Sequence, residues 1–340
     1  MTKIAVRDVS LFVKVMGHGY PLLLMHGGPG LDYTTLESLE PLSDRFTLIF
    51  YDHRCNGRST GAVDTMTFDN LTADAEALRQ TFGFEEWAVA GHSFGGNVAL
   101  EYALRYPASI SHLILLDSCG DAWLYEESAP AILGKRGYSE KTVEAAWRFF
   151  NGELTPDEVY PIVRKFLRAY FYKFGIRDMP TSIRAAFRMK MRHDAHVFGF
   201  GTTLKNWSVM DRLGEIAAPT LVLGGREDFL FPPEHQAILA DRIANARLEI
   251  IERAGHNAHA EQAREVMQII KDFIGRARGA RRRPAAAEPL AAAAKVPVPR
   301  SMHRPVRRSS RRKPRVVRKG AQSRLAELAL HQQNAGRSEQ

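Results

Sequence analysis

The sequence predicts an α/β fold: a mostly parallel sheet flanked by helices, with an inserted helical lid and a disordered basic C-terminal tail. Three observations carry this expectation. Short apolar runs alternate with amphipathic helical stretches over most of the first 275 residues, the pattern of a parallel sheet covered on both faces. The alternation breaks between about 121 and 210, then resumes. From about 277 large apolar residues nearly vanish and Arg, Ala and Pro take over, too little apolar surface to support a core.

The elements follow in order. Residues 4–15 and 22–25 read as strands, and Phe46–Tyr51 as a third. Helical spacing at 69–82 precedes a strand at 87–90, a helix at 96–106 and a strand at 112–116. Late strands are expected at 220–223 and 247–251, each followed by a helical pattern, 234–244 and 260–275. These runs divide the chain into a core of 1–120 and 211–275, a helical lid of 121–210 inserted in it, and a tail of 276–340. A short helix at 321–331 is the most that the tail's sequence supports. The insert is rich in aromatic and basic residues, as befits a lid over the carboxyl edge of the sheet.

Charge is divided as sharply as pattern. Of the 47 Lys and Arg, 18 lie from Arg276 onward against 3 of the 38 acidic residues, so the first 275 residues carry 29 against 35. The body is mildly acidic and the tail strongly basic; such a tail suits contact with nucleic acid or an anionic surface. Two cysteines, Cys55 and Cys119, are too few for a disulfide framework, and no Cys/His spacing indicates a metal. Met1–Met16 lacks the apolar core of a signal peptide, and no apolar run approaches the roughly 20 residues of a membrane span. A cytoplasmic protein is expected.

The chemistry is concentrated at Gly91-His92-Ser93-Phe94-Gly95, where an apolar strand meets a helix. A serine hydroxyl is a weak nucleophile unless a tight turn holds it out beside a base and amide donors. The strand 22–25 ends in His26-Gly27-Gly28-Pro29-Gly30, whose adjacent glycines let backbone N–H groups approach a ligand. Together with the N–H of Phe94, this loop predicts an oxyanion hole. Past the late strands stand Gly225-Arg226-Glu227-Asp228 and Ala254-Gly255-His256. Ser93 is then the nucleophile, His256 the general base, and Asp228 the acid that orients it. Glu227 and Asp117 compete for the acid's role, and His259 and His235 for the base's. The segment Asp52-His53-Arg54-Cys55-Asn56-Gly57-Arg58-Ser59 reads as a structural turn whose arginine pairs with an acid, and Cys55 as a bystander.

In this order the motifs His-Gly-Gly-Pro-Gly, Asp-x-Arg-x-x-Gly-x-Ser, Gly-His-Ser-x-Gly-Gly, Gly-Arg-x-Asp and Gly-His resemble the α/β-hydrolase superfamily, most closely its proline iminopeptidase branch, over residues 4 to 275. The resemblance implies cofactor-free hydrolysis through an acyl-enzyme, oxyanion donors at Gly28 and Phe94, no metal, and a small-molecule or short-peptide substrate. It also implies lid glutamates that bind a free amino group, one of them in a Trp-Glu pair, yet the lid has no such pair. The stretch Phe187–His193 is basic instead, and Glu126, Glu127, Glu144, Glu153 and Glu158 are the substitutes on offer. A lid rich in Arg, Lys and aromatics equally suits a carboxylate-bearing or aromatic substrate. An esterase, lactonase or carbon–carbon bond hydrolase is therefore the alternative, with a non-enzymatic binding protein behind it.

Overall fold

Six-residue runs such as Tyr20-Pro-Leu-Leu-Leu-Met25 and Phe46-Thr-Leu-Ile-Phe-Tyr51 have no polar face, so they are stable only as strands buried on both sides. That is where the computed structural model, which describes residues 1–173 and 188–279, places them (side chains of 123–127 and 276–279 excepted). Eight strands form one sheet in the order β1-β2-β4-β3-β5-β6-β7-β8. They are β1 (Thr2–Val6), β2 (Val9–Met16), β3 (Tyr20–Met25), β4 (Phe46–Tyr51), β5 (Trp87–His92), β6 (Ile110–Leu116), β7 (Thr220–Gly225) and β8 (Ala246–Ile251). From β4 across to β8 every pairing is parallel; β2 alone runs the other way, antiparallel to both β1 and β4.

Alternate residues of each strand enter different cores. Leu23, Met25, Val89, Leu113 and Leu115 face α1 (Phe68–Thr81) and α2 (Phe94–Arg105), packing with Leu71, Leu78, Val98 and Tyr102. Leu22, Leu24, Ala88, Ala90, Ile114 and Leu116 face the other way, onto Leu36, Leu39 and Leu42 of the 3₁₀ segment Tyr33–Asp44 and onto Val266, Ile270 and Ile274. Each fully buried leucine of this kind contributes about 1.5–3 kcal/mol. Helices α3 (Ala122–Lys135), α4 (Glu140–Phe150), α5 (Pro156–Phe166) and α6 (His193–Phe198) fall between β6 and β7. The chain ends its described part in α7 (Pro233–Arg242), α8 (Ala258–Glu261) and α9 (Ala263–Gly279).

Three elements differ from expectation. The strand expected over 4–15 is a hairpin, turned at Arg7 with φ 50°, because both limbs alternate and no Gly or Pro marks the turn. The helix expected over 260–275 is broken at Gln262, where Glu261 is drawn aside to accept N–H groups of Gly255 (2.7 Å) and Tyr172 (2.8 Å). The Tyr33–Asp44 segment, capped by Asp32 onto Thr34 N–H (3.0 Å), carries Pro41 and showed no helical period. The tail beyond 279, its short helix, and residues 174–187 of the insert lie outside the described residues. No described helix is long and apolar enough to cross a membrane.

Candidate active site

Parallel strands place their carboxyl ends on one edge, and the residues that follow β3, β5, β6, β7 and β8 meet there. Ser93 occupies the single position between β5 and α2, with φ 52° and ψ −121°. A serine held in that region is strained and persists only because its surroundings dictate it. Its N–H donates to Leu116 O (3.0 Å), and its carbonyl accepts from Gly96 N (2.8 Å) and from Ser118 Oγ (2.9 Å). The turn closes so tightly that a Cβ on Gly91 would strike Gly95 O, and one on Gly95 would strike Met25 O. Ser93 is half-buried while its neighbours on both sides are buried.

The loops after β7 and β8 bring an acid to a base. Asp228 Oδ2 accepts from His256 Nδ1 at 2.9 Å, and Asp228 Oδ1 accepts from Leu230 N–H at 2.8 Å. Both side chains are buried. A carboxylate partner assigns the proton to Nδ1 and leaves Nε2 as the ring's acceptor. The residue before Ser93 is tied to the base candidate: His92 Nε2–H donates to His256 O (2.9 Å), and the two rings lie 5.0 Å apart. Among the described residues no hydrogen bond joins Ser93 Oγ to His256; such bonds commonly tighten only with substrate bound.

Three of the four competitors are occupied elsewhere. Glu227 is half-exposed and faces Arg136 at 3.7 Å. Asp117 accepts from Gly225 N (2.8 Å) and Ala258 N (3.2 Å), tying the acid's strand to the base's loop. Burial, with the nearby Asp228, pushes its carboxyl well above the usual range. His259 Nε2–H donates to Thr35 O at 2.9 Å, and His235 has no carboxylate partner among the described residues. His92, Asp117 and His259 offer metal-ligand atoms within 4.8 Å of one another. Their existing bonds to backbone groups make them packing around the turns that carry Ser93, Asp228 and His256.

The loop after β3 lies against the serine turn. Gly28 takes φ +64°, Leu31 N–H closes onto Gly28 O (3.0 Å), and a Cβ on Gly27 would strike the His92 ring. Neither Gly28 N–H nor Phe94 N–H donates to another group among the described residues. His26 below is a neutral anchor: Nε2 accepts from His53 N (3.1 Å), Nδ1 faces Gly27 O (3.0 Å), and burial holds its pKa at about 4. The 52–59 turn is structural. Arg54, wholly buried, bonds Asp74 (2.6 Å) and Asp8 (2.9 Å), while Asn56 Oδ1 accepts from Gly30 N. Cys55 is buried with Sγ toward Ala62 O (3.0 Å).

Aromatic rings wall the base. Tyr170 and Phe231 stand 5.5 and 5.4 Å from the His256 ring, and Tyr170 packs on Phe229 at 5.1 Å. The basic stretch is less available than its composition implies, because Arg188 pairs with Glu37 and Arg192 with Asp194 (2.6 Å). Glu158 is spent on Arg148 (3.1 Å) and on capping α5 at Thr155. Glu144 lines an outer groove with Tyr138 and Trp147, and the side chains of Glu126 and Glu127 lie outside the described residues. Sequence reasoning passed over His92, although it stands inside the quoted motif, and His196, which no motif marks.

A model of the alpha/beta hydrolase fold family matches residues 20–263. A proline iminopeptidase of Saccharolobus solfataricus is 27% identical over 272 residues, covering 77% of this chain and 86% of that one. A 2-hydroxy-6-oxo-6-phenylhexa-2,4-dienoate hydrolase of Comamonas testosteroni is 27% identical over 286 residues, covering 80% and 94%. Among solved structures, the proline iminopeptidase of Mycobacterium smegmatis superposes with a TM-score of 0.68 at 23% identity, covering 82% and 99%. The relatives are hydrolases, and the resemblance to the proline iminopeptidase branch holds at the level of sequence. With the parallel sheet, the serine turn after β5 and a family match over most of its length, the chain belongs to the alpha/beta hydrolase fold family.

Proposed function

We propose that this protein is a serine hydrolase that cleaves a small amide or ester through an acyl-enzyme, most like an aminopeptidase of the proline iminopeptidase type. The observation that carries the reading is the buried 2.9 Å Asp228–His256 bond on the same sheet edge as the strained Ser93. Ser93 Oγ attacks the carbonyl carbon and its proton passes to His256 Nε2. The oxyanion takes the N–H groups of Gly28 and Phe94, and Asp228 stabilises the imidazolium. His256 returns the proton to the departing amine or alcohol, leaving the acyl group on Ser93. Water, deprotonated by His256, then attacks the acyl-enzyme and frees Ser93.

Two relatives support two substrate classes. The Saccharolobus enzyme favours an amino-terminal proline amide. The aromatic wall of Tyr170, Phe229 and Phe231 beside His256 favours the second reading, an esterase, lactonase or carbon–carbon bond hydrolase, as the Comamonas relative's name also does. A prolyl nitroanilide assayed beside a nitrophenyl ester and a lactone separates them. Turnover of the anilide, abolished in Ser93→Ala, is the expected result. Turnover of the ester or lactone alone rejects the aminopeptidase.

A further inference from the structure

We propose that His196, on α6 of the insert, is a positioning residue for the oxyanion loop: its Nδ1–H holds the carbonyl of Pro29 and thereby aims the Gly28 amide. The inference rests on the serine-hydrolase reading above. His196 Nδ1 lies 3.0 Å from Pro29 O, and a carbonyl can only accept, so Nδ1 carries the proton. Burial holds this ring's pKa at about 4, so it is neutral and Nε2 is a bare acceptor. Nε2 is buried without a partner among the described residues, between the rings of Phe149 at 4.4 Å and Phe200 at 4.9 Å. In a pocket made of phenylalanines an apolar side chain would avoid that desolvation. What histidine contributes there, and leucine would not, is the bond to Pro29.

The bond completes a clamp. Arg192 N–H donates to the next carbonyl, Gly30 O, at 2.7 Å. Gly199 packs so closely on Pro29 that a Cβ there would collide with its ring. Gly30 N–H, the other end of the Pro29–Gly30 peptide, donates to Asn56 Oδ1. That peptide is thus held at both ends, by the insert at its oxygen and by the sheet-edge turn at its nitrogen. Pro29 cannot rotate about φ, and Gly28 O is closed onto Leu31 N–H. A rotation of the Gly28 peptide would have to move Pro29 and Gly30 against the bonds that His196, Arg192 and Asn56 make to them. The insert therefore supports the oxyanion loop directly.

The test uses the full-length chain with His196→Leu and His196→Asn. Asparagine Nδ2 lies the same number of bonds from Cα as histidine Nδ1 and restores a donor; leucine fills similar volume without one. The expected result is a loss of kcat in His196→Leu of about 10- to 100-fold, short of the full loss of an oxyanion donor, with KM little changed. His196→Asn recovers most of it. Amide hydrogen exchange across residues 27–31 rises in the leucine variant and stays at the wild-type rate in the asparagine variant. Because exchange needs no turnover, it reads the clamp separately from the reaction: an inactive wild type would remove the function, and unchanged exchange in His196→Leu would remove the clamp. Equal losses in both variants, or an undiminished kcat in His196→Leu, would overturn the proposal.

Discussion

Ser93 illustrates what one residue's backbone can carry. With φ at 52° it takes a conformation that glycine adopts freely and serine does not, and the strain is offset by the bonds its own N–H and carbonyl make. Ser93, Asp228 and His256 were legible as candidates because each stands in a glycine-marked turn at a strand end. The bonds that hold these turns were not, and Asp117 was legible only as a rival acid. His92, Asp117 and His196 bond to backbone carbonyls and amides far away in sequence, which no spacing records. Buried histidines also give the protein an acid limit. Burial lowers the pKa of His26, His53, His92, His196, His235 and His259, to about 4 for His26, His196 and His259. Unfolded, these rings take up protons near 6.5, so below that pH the unfolded chain binds more protons and stability falls as pH drops toward 4. Asp52, raised to about 6, and Asp117 and Glu37, also raised, act in the opposite sense but are fewer. Unfolding free energy should decline by about 1.4 kcal/mol per pH unit for each uncompensated histidine between pH 6.5 and 4. A melting temperature that stays level over that range would refute it.

At the level of elements, β3 to β7 were legible because they are largely apolar runs, β8 through Leu248, Ile250 and Ile251 despite Arg247 and Glu249, and α1, α2 and α7 because their period is regular. The hairpin turn at Arg7 and the 3₁₀ segment at 33–44 were not, since their geometry comes from Asp74, Asp32 and neighbouring strands rather than from local propensity. The turn after β4 shows how a loop is made rigid. Arg54 is buried with Asp74, both almost without exposure, and from this base Asn56 reaches the oxyanion loop. Removing one partner of a buried ion pair leaves an uncompensated charge, which costs about 3–5 kcal/mol. Arg54→Met should lower the unfolding free energy by that order in chemical denaturation. Arg54→Met combined with Asp74→Leu should recover much of the loss. A change under about 1 kcal/mol in the single variant would show that Arg7, at 3.0 Å from Asp74, suffices as its partner.

For the whole molecule, the sheet gathers the segments after five strands onto one edge, and the insert between β6 and β7 reaches the loop after β3. The fold class was legible from strand and helix alternation, while the substrate was not. The basic composition of 187–193 pointed to free cations, yet Arg188 and Arg192 are paired with carboxylates. What faces His256 is aromatic. The division of charge between body and tail still stands in the sequence, and a chain shortened after Gly275 should hydrolyse substrate as the full chain does if chemistry resides in the body. The central claim is that Ser93 is an activated nucleophile, and labelling of the purified full-length protein with a serine-directed fluorophosphonate tests it most directly. The wild type should label and Ser93→Ala should not; equal labelling of the two would contradict the account.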